Sequence, residues 1–182
     1  PWYTLADYGW YIITRLLTIF QTPNHPQVGV SWYEAMAFCR WLSEALGQTV
    51  TLPSEAQWER AARFTDGRIY PWNSDFAPER CNMGKTGIQA TSAVGLFPSG
   101  VSQEGVLDMS GNVWEWCRTK WRGDYKGYEA NADDDPAGDA HRVVRGGSWG
   151  GSDHGVRCAV RFRSYSGYRY DYLGFRVMSP GL

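Results

Sequence analysis

From Asp66 to the C-terminus, the chain contains no helical periodicity that lasts more than one turn. Gly, Pro, Asn and Ser interrupt it every few residues, a pattern that predicts short strands joined by irregular loops. The 182 residues include 21 Gly, 10 Trp and 11 Tyr. We therefore expect few long regular elements and many turns that are held in place by large aromatic side chains.

Two helices are predicted before this region. The first begins at Ser31, which forms a capping box with Glu34, and it ends before Gly47. The second begins at Ser54 and repeats the capping pattern with Gln57. The residues at helical spacing that predict buried faces are Ala35, Phe38, Cys39, Leu42 and Leu46 in the first helix, and Trp58, Ala61 and Ala62 in the second. Both helices are interpreted as scaffold.

The loop-rich region is expected to contain short strands and one acidic loop. Strands are predicted around Leu107, Trp114, Val144 and Ala159, and at residues 174–177. The acidic run Asp133–Pro136 predicts a solvated loop, with a cation site as the alternative.

Charge and hydropathy exclude two classes of partner. The formal net charge is −1 and the pI is about 6.4, which leaves no overall electrostatic footprint for nucleic acid. The apolar stretch Tyr8–Phe20 is shorter than the roughly 20 residues of a bilayer span, so we expect it in a core or against a partner. The N-terminus has no initiator Met and no signal sequence. We expect the chain to begin inside a longer protein, which leaves cytoplasmic and cell-surface locations open.

The cysteines show no metal-binding spacing. They are Cys39, Cys81, Cys117 and Cys158, and no two of them form a C-x-x-C pair. This pattern argues against a zinc knuckle or a thioredoxin-like site. We expect buried or free thiols.

Four ordered segments carry a family resemblance. They are L-P-S-E-A-Q-W-E at residues 52–59, D-M-S-G-N-V-W-E-W at 108–116, R-V-V-R-G-G-S-W at 142–149, and G-F-R-V at 174–177. The set resembles the domain of the formylglycine-generating enzymes (sulfatase-modifying factors), a variant of the C-type lectin fold, over roughly Val28 to Met178. The resemblance implies an α+β domain with two helices, short antiparallel strands and much irregular structure. We expect this domain at residues 28–182, with residues 1–27 as its truncated N-terminal part.

A calcium site is predicted in the second segment. Asp108 and Glu115 flank a Gly-Asn turn, and carboxylates with turn carbonyls are the oxygen ligands that Ca²⁺ prefers. The resemblance implies a structural calcium ion held by the side chains of Asp108 and Glu115 and the backbone oxygens of Gly111 and Val113. The alternative is that Asn112 and Glu115 satisfy backbone groups of the loop. A second calcium site of the family would use Asn82, which lacks a clear acidic partner here, so we do not expect it.

The chemistry of the resembling enzymes is not expected. Those enzymes bind copper through a cysteine pair after the G-G-S motif, whereas residues 149–156 contain no cysteine before Cys158. Soft thiolate ligands for Cu(I) are therefore absent at the matching place. Related sulfoxide synthases hold iron with several histidines, but the three here, His25, His141 and His154, are widely spaced. His154 beside Asp153 is interpreted as a surface contact and not as a catalytic base. We expect no copper, no iron and no catalytic residues.

The segment from Gly150 to Leu173 lacks five residue types. It contains no Lys, Glu, Gln, Met or Trp, a gap that random placement leaves roughly once in 200 cases. A tight Gly- and Tyr-rich β region is one explanation. The other is genetic, because codons with a free choice at the first two bases and C at the third cannot encode these five types. Adenine-directed mutagenesis of AAC codons produces that restricted set.

A narrower resemblance follows from this gap. G-G-S-W, a mixed loop, R-C-A-V-R, a second mixed segment and G-F-R-V are similar to the variable region of diversity-generating-retroelement variable proteins, here about residues 142–177. The resemblance implies frame positions at Gly146, Gly147, Trp149, Arg157, Arg161, Gly174, Phe175 and Arg176. It implies a diversified ligand-binding face at Gly150, Gly151, Ser152, Gly155, Val160, Phe162, Arg163, Ser164, Tyr165, Tyr168, Tyr170, Asp171, Tyr172 and Leu173.

The leading functional hypothesis is a non-enzymatic, receptor-like protein that binds varied ligands. Tyr offers a large rigid contact area, and Ser, Gly and Asp adapt and form hydrogen bonds, as in antibody loops. The expected ligand is a protein or another cell-surface molecule, and nucleic acid is not expected. Two alternatives stay open: a metal- and oxygen-dependent oxidoreductase of the formylglycine-generating type, and a calcium-dependent carbohydrate-binding module.

Overall fold

Two helices and a small sheet form the regular part of the protein. The computed structural model describes residues 23–72, 75–128 and 132–180. The helices are α1 (Trp32–Leu46) and α2 (Glu55–Arg63), and the strands are β1 (Trp114–Lys120), β2 (Arg142–Arg145), β3 (Arg161–Ser164) and β4 (Leu173–Gly174). Short 3-10 helices lie at Pro78–Arg80, Gly84–Thr86 and Pro98–Gly100. Most of the other described residues are irregular, which agrees with the predicted α+β class.

The sheet is mixed, with the strand order β3-β2-β1-β4. β1 with β2 and β2 with β3 pair antiparallel, as expected. β4 pairs parallel with β1, where Leu173 lies opposite Trp114. A parallel pair needs a long connection between its strands, and about 50 residues separate β1 from β4. The short β4 therefore runs parallel to β1, whereas antiparallel strands were expected.

Both helix starts agree with the sequence prediction. Capping boxes are present at Ser31 and Ser54, and Gly47 ends α1 in the left-handed conformation with φ 65°. The buried face of α1 differs at its end, because Leu46 is 55% exposed. Only the first turns of α1 contribute to the core, through Trp32, Ala35 and Cys39, so Leu46 has no buried partner in that cluster.

The core lies on both faces of the sheet. On one face, α1 packs in a cluster made of Trp32, Ala35, Cys39, Leu52, Trp116, Val144 and Leu173. On the other, α2 packs in a cluster made of Trp58, Ala62, Met109, Cys117, Val143 and Cys158. Neighbouring residues of a strand point to opposite faces, which is why Val143 and Val144 belong to different clusters. The Trp32 indole N–H donates to the Cys117 carbonyl at 3.0 Å and ties the first cluster to β1.

Two predicted strands are shifted or absent. The segment around Leu107 is irregular, and Asp108 has φ 58°, which an extended strand does not allow. The strand predicted around Ala159 begins only at Arg161, because a turn precedes it in which the Val160 N–H donates to the Arg157 carbonyl. At the C-terminal end, only Gly174 of residues 174–177 belongs to a strand.

No helix among the described residues is both long enough and apolar enough to cross a membrane. The apolar stretch Tyr8–Phe20, predicted to lie in a core or against a partner, falls outside the described residues. The acidic run is an exposed loop, as predicted, in which Asp133 pairs with Lys120 at 2.8 Å and Asp134 pairs with Arg118 at 3.3 Å.

Candidate functional site

An open pocket with a volume of about 640 Å³ lies beside β3 and β4. Most of the residues predicted to be diversified line it, namely Gly150, Gly151, Phe162, Arg163, Ser164, Tyr165, Tyr168, Tyr170, Tyr172 and Leu173. The remaining members of that set, Ser152, Gly155, Val160 and Asp171, are not among the lining residues. The lining also includes Trp114, His141, Val144 and Ser148, which the sequence reasoning did not assign to the site.

A row of aromatic rings forms one side of the pocket. The ring centroids of His141 and Tyr165 are 3.8 Å apart, and those of Tyr165 and Tyr168 are 5.0 Å apart. Tyr168 then meets Tyr170 edge to face at 5.7 Å, and Tyr170 stacks on Tyr172 at 5.0 Å with an angle of 6° between the rings. Such pairs stabilise one another beyond their buried area, so the row is a preformed surface.

The tyrosines of this row are not equivalent. Tyr165, Tyr168 and Tyr172 are 51%, 48% and 37% exposed, which agrees with a binding face. Tyr170 is half-buried and packs against the α1-side core cluster. Tyr170 therefore lines the pocket and also packs on the core beneath it.

Strand register places the β3 side chains on two faces. Phe162 lies opposite Val144, which belongs to the α1-side core cluster, and its side chain is 63% exposed beside Trp114 at 6.3 Å. Arg163 lies opposite Val143, a member of the α2-side cluster, so its side chain points away from the ring row. Arg163 therefore borders the pocket without facing the rings.

Two residues of the predicted diversified set are buried. Leu173 is 1% exposed and belongs to the α1-side core cluster, so its role is packing at the base of the pocket. Ser164 is 9% exposed, and its hydroxyl has no hydrogen-bond partner in the described part of the chain. A side chain at either position faces the interior. The size and polarity of residues that fit there are therefore more restricted than at the exposed positions Tyr165 and Tyr168.

Backbone hydrogen bonds hold the loop that carries the tyrosines. The carbonyls of Ser166 and Tyr170 accept from the backbone N–H groups of Trp32 at 3.0 Å and Gly29 at 2.9 Å. The Tyr172 carbonyl accepts from the Trp114 N–H at 2.8 Å. Because these bonds use backbone atoms of the loop, they do not depend on which side chains the loop carries.

One charged contact also fixes this loop. The Arg169 guanidinium donates to both carboxylate oxygens of Glu34, each at 2.9 Å. Burial raises the pKa of the Glu34 carboxyl, but hydrogen bonds from Arg169 and Ser31 outweigh that effect and hold the pKa below its ordinary value. A fork-shaped pair of this kind ties the loop to the first turn of α1.

This contact predicts a pH-dependent contribution to stability. The folded pKa of Glu34 lies below the unfolded value, so the contribution is present above the ordinary Glu value and is lost as the pH falls through the lowered value. We expect Glu34→Gln to lower the free energy of unfolding by about 0.5–1 kcal/mol at about pH 7. The deficit should shrink below about pH 4 in urea unfolding. Glu44→Gln, at an exposed site on the same helix, is the control, and a deficit that stays constant with pH would contradict the assignment.

A buried ion cluster anchors β2 and β3 to α2. Glu55 is 1% exposed, and its oxygens accept from the Arg161 guanidinium at 2.6 Å on each side. Arg145 is fully buried and lies 3.4 Å from Glu55 and 2.6 Å from Glu59. Sequence reasoning assigned Arg161 to the frame but missed Glu55, whose partner is 106 residues away. The only sequence signal for a structural role of Glu55 was its position in the L-P-S-E segment.

The glycines of the G-G-S motif allow a close backbone approach. Gly147 has φ 74°, and a Cβ on it would lie 2.6 Å from the Gly155 carbonyl oxygen. Gly146 has φ 96° and lies against the Trp58 ring. A side chain at Gly147 would push the loop around Gly155 away, so the turn that begins the pocket region requires glycine there.

The predicted calcium ligands have other partners. The Glu115 carboxylate accepts from the Arg176 guanidinium at 2.5 and 2.6 Å and from the Trp58 indole at 2.6 Å. Asp108 accepts from the Gly95 N–H at 2.8 Å, and burial raises the pKa of its carboxyl. In this arrangement Glu115 could hold a calcium ion only after releasing Arg176. Calcium binding through Asp108, Gly111, Val113 and Glu115 stays a prediction. Arg176 has the structural role expected of it.

The side chains of the neighbouring asparagines satisfy backbone groups, as the alternative to a calcium site proposed for Asn112. The Asn112 side chain accepts from the Ser92 N–H at 2.9 Å and donates to the Ser92 carbonyl at 3.2 Å. Asn82 is buried, and its amide donates to the Ala90 carbonyl at 2.9 Å. Among the described residues, no group of three or more His, Cys, Asp or Glu side chains is arranged to hold a metal ion.

The cysteines are free and buried, as predicted. Burial raises the pKa of the Cys39, Cys81 and Cys158 thiols to about 12, and it raises that of Cys117 as well. Thiolates are the reactive and metal-binding form, so these four side chains are poorly suited to either role. His154 is exposed beside Asp153, which pairs with Lys85 at 3.2 Å, in agreement with a surface contact.

The two-helix fold with its small mixed sheet is that of the formylglycine-generating enzymes. The sequence matches the model of the "Sulfatase-modifying factor enzyme 1-like domain" over residues 2–180, and the chain belongs to this family. The match includes most of the N-terminal segment that the motif comparison left out.

The relatives that share this domain include a protein named as an enzyme and one named as an inactive enzyme. The chain is 34% identical to the "Inactive C-alpha-formylglycine-generating enzyme 2" of Mus musculus, over 85% of this chain and 49% of the relative. It is 37% identical to the "Formylglycine-generating enzyme" of Thermomonospora curvata, over 72% of this chain and 47% of the relative. The chain therefore spans about half the length of these curated relatives.

Solved structures repeat the fold. PvdO from Pseudomonas aeruginosa superimposes with a TM-score of 0.75 at 30% identity, covering 87% of this chain and 63% of that protein. The Treponema denticola variable protein 1 gives a TM-score of 0.71 at 26% identity, covering 87% of this chain and 73% of that protein.

Proposed function

We propose that this protein is a non-enzymatic ligand-binding protein whose diversified C-terminal face recognises varied ligands, as a variable protein of a diversity-generating retroelement with a C-type lectin fold. The proposal depends mainly on one observation: residues of the segment 150–173, which lacks five residue types, come together around one open pocket. Most of the residues expected to be diversified line it, although they are spread from Gly150 to Leu173. The ligand class is a protein or another cell-surface molecule.

The support of the pocket favours a surface that tolerates sequence change. Its loop is attached through the backbone carbonyls of Ser166, Tyr170 and Tyr172. The charged frame, Arg161 with Glu55, lies on the opposite face of β3 from Phe162. New side chains at the exposed pocket positions therefore leave both supports in place.

The likeness to a variable protein adds a second line of support. The Treponema denticola variable protein 1 shares the fold over 87% of this chain. A second relative is named as an inactive enzyme, which is compatible with a non-enzymatic role for this domain. Formylglycine-generating enzymes are also relatives, so an oxidoreductase is the second candidate. Buried cysteines with a raised thiol pKa disfavour it, and stoichiometric copper or iron with oxygen-dependent turnover would support it.

A pair of display libraries tests the proposal. One library diversifies Phe162, Tyr165, Tyr168 and Tyr172 with codons that end in C. The matched control diversifies the exposed residues Tyr33, Arg40, Glu44 and Ile88 with the same codons. Both are displayed on yeast and selected against the same purified proteins, lysozyme, ovalbumin and transferrin. We expect both libraries to display folded protein and only the pocket library to give binders.

Two outcomes of this selection would contradict the proposal. Loss of display in most members of the pocket library would show that its residues are core. Equal numbers of binders from both libraries would show that the pocket is not a privileged surface. Sequencing the encoding locus is an independent check, since the proposal expects a reverse transcriptase gene and a near-copy of the 3′ end with adenines at the differing positions.

A further inference from the structure

The electrostatic character of the pocket points to a specific ligand chemistry. We propose that it binds an organic cation, the guanidinium or ammonium group of a basic side chain on a protein ligand. This inference rests on the proposed function, because it names the chemical group that the same pocket recognises in this particular sequence.

Six Tyr, Trp and Phe side chains line the pocket. Tyr165, Tyr168, Tyr170 and Tyr172 belong to the ring row, and Trp114 and Phe162 are the other two. The face of an aromatic ring carries negative electrostatic potential, which attracts cations within about 6 Å of the ring centre. Trp and Tyr are the stronger partners in such contacts, and they outnumber Phe here.

The cation–π contacts among the described residues all use rings outside the pocket. Among the described lining residues, Arg163 is the one with a permanent charge, and strand register directs its side chain to the other face of β3. Arg169 lies between Tyr168 and Tyr170 in the sequence, but its guanidinium donates to the Glu34 carboxylate. The guanidinium groups that do stack on aromatic rings lie elsewhere, for example Arg142 on Trp32 at 3.9 Å.

Exposed charges of both signs lie at or beside the pocket, Arg163 in its lining and Asp171 next to the ring row. Asp171 lies between the stacked Tyr170 and Tyr172, is exposed, and has no ion-pair partner within the described ranges. Its charge acts on Tyr172, whose hydroxyl pKa is raised first by burial and then by Tyr170 and Asp171. Asp139, two residues before the lining residue His141, is likewise exposed without an ion-pair partner among the described residues. Asp171 therefore supplies an attractive field to a cation that lies against the rings.

A buried hydrogen-bonding group lies beneath the pocket. The Ser164 hydroxyl is on the same face of β3 as Phe162 and has no partner among the described residues. A buried polar group without a partner is costly, so a ligand donor or a water molecule that reaches it is stabilising. Guanidinium and ammonium groups carry only donors, which matches an acceptor at the end of an aromatic pocket.

Three small probes test the charge preference, and two of them, the arginine and citrulline probes, match in shape. They are Nα-acetyl-arginine methylamide, its neutral citrulline counterpart, and Nα-acetyl-glutamate methylamide. Binding is followed at about pH 8 through the NMR shifts of the backbone amides of residues 162–173. We expect the arginine probe to bind with a dissociation constant of about 1–10 mM and about threefold to fivefold more tightly than the citrulline probe. The glutamate probe should bind more weakly than either.

Substitutions separate the rings from the rim charge. Tyr172→Leu keeps an apolar side chain but removes a ring face, and it should weaken the arginine probe about threefold. Asp171→Asn removes the charge at an exposed position and should weaken it about twofold while leaving the citrulline probe unchanged. Tyr33→Leu removes a tyrosine that is 45% exposed outside the pocket and should change neither value.

The outcomes distinguish this inference from the proposed function. Equal binding of arginine and citrulline, tighter binding of glutamate, or no pocket shift with any probe would overturn the cation assignment. None of these results affects the library selection, which varies the pocket residues themselves. Failure of the selection together with preferential arginine binding would instead leave a cation pocket that is not a diversified face.

Discussion

Replacing Glu55 with Gln is expected to lower the free energy of unfolding by about 3–5 kcal/mol. The substitution keeps the shape of the side chain but removes the negative charge that faces Arg161 at 2.6 Å and Arg145 at 3.4 Å. Both guanidinium groups are largely buried, with side-chain exposures of 10% and 0%. A buried charge left without its partner retains its desolvation cost, which is why the effect should be several times that of a surface pair.

The Glu55 cluster also includes a tyrosine hydroxyl. Tyr128 donates to the second Glu55 oxygen at 2.8 Å, and burial together with this carboxylate raises the pKa of the phenol. Urea unfolding followed by circular dichroism measures the effect of Glu55→Gln. The control is Glu104→Gln, whose pair with Arg60 at 2.8 Å is exposed on both sides and should cost less than about 1 kcal/mol. Equal losses in the two variants would show that the cluster is not a main anchor of β3.

Gly174→Ala is the second substitution for which a large effect is expected, about 3 kcal/mol. A Cβ at Gly174 would lie 2.3 Å from the Gln27 carbonyl oxygen and 3.5 Å from the Val113 side chain. Gly174 joins β4 to β1 and forms a bridge with Val28, so neither backbone neighbour can move without breaking strand pairing. The clash is between the Cβ atom, which no rotamer change moves, and a backbone oxygen.

Gly167→Ala is the matched control for this prediction. Gly167 lies in the same C-terminal region, and a Cβ there would meet no atom within 4 Å. This variant should keep the thermal midpoint of the wild-type protein, or raise it slightly by restricting the unfolded chain. If Gly174→Ala unfolds at the same temperature as Gly167→Ala, the close approach to Gln27 is not required for the fold.

Local sequence signals predicted the helices well. Ser31 with Glu34 and Ser54 with Gln57 are capping pairs whose partners are three residues apart, so the sequence contains the whole interaction. The strands were harder to place, because their ends depend on pairing with distant segments. The segment around Leu107 illustrates this difficulty, since a strand was predicted there while Asp108 adopts φ 58°.

The candidate site was predictable in outline and not in detail. Residue composition between Gly150 and Leu173 singled out most of the residues that line the pocket. It did not distinguish Tyr172, which is 37% exposed, from Leu173, which is 1% exposed, because both belong to the same compositional gap. Trp114 and His141 were missed since they lie outside that segment and reach the pocket only through the fold.

By itself, the sequence determined the α+β class, the two capped helices, the buried free cysteines and the segment that forms the pocket. These follow from local spacing and composition, which act through neighbours along the chain. Only the tertiary structure decided that Glu55 pairs with Arg161, that Glu115 pairs with Arg176, and that Arg163 turns away from the tyrosine row. Each of these depends on strand register or on a contact between distant residues, and such contacts exist only once the sheet has formed.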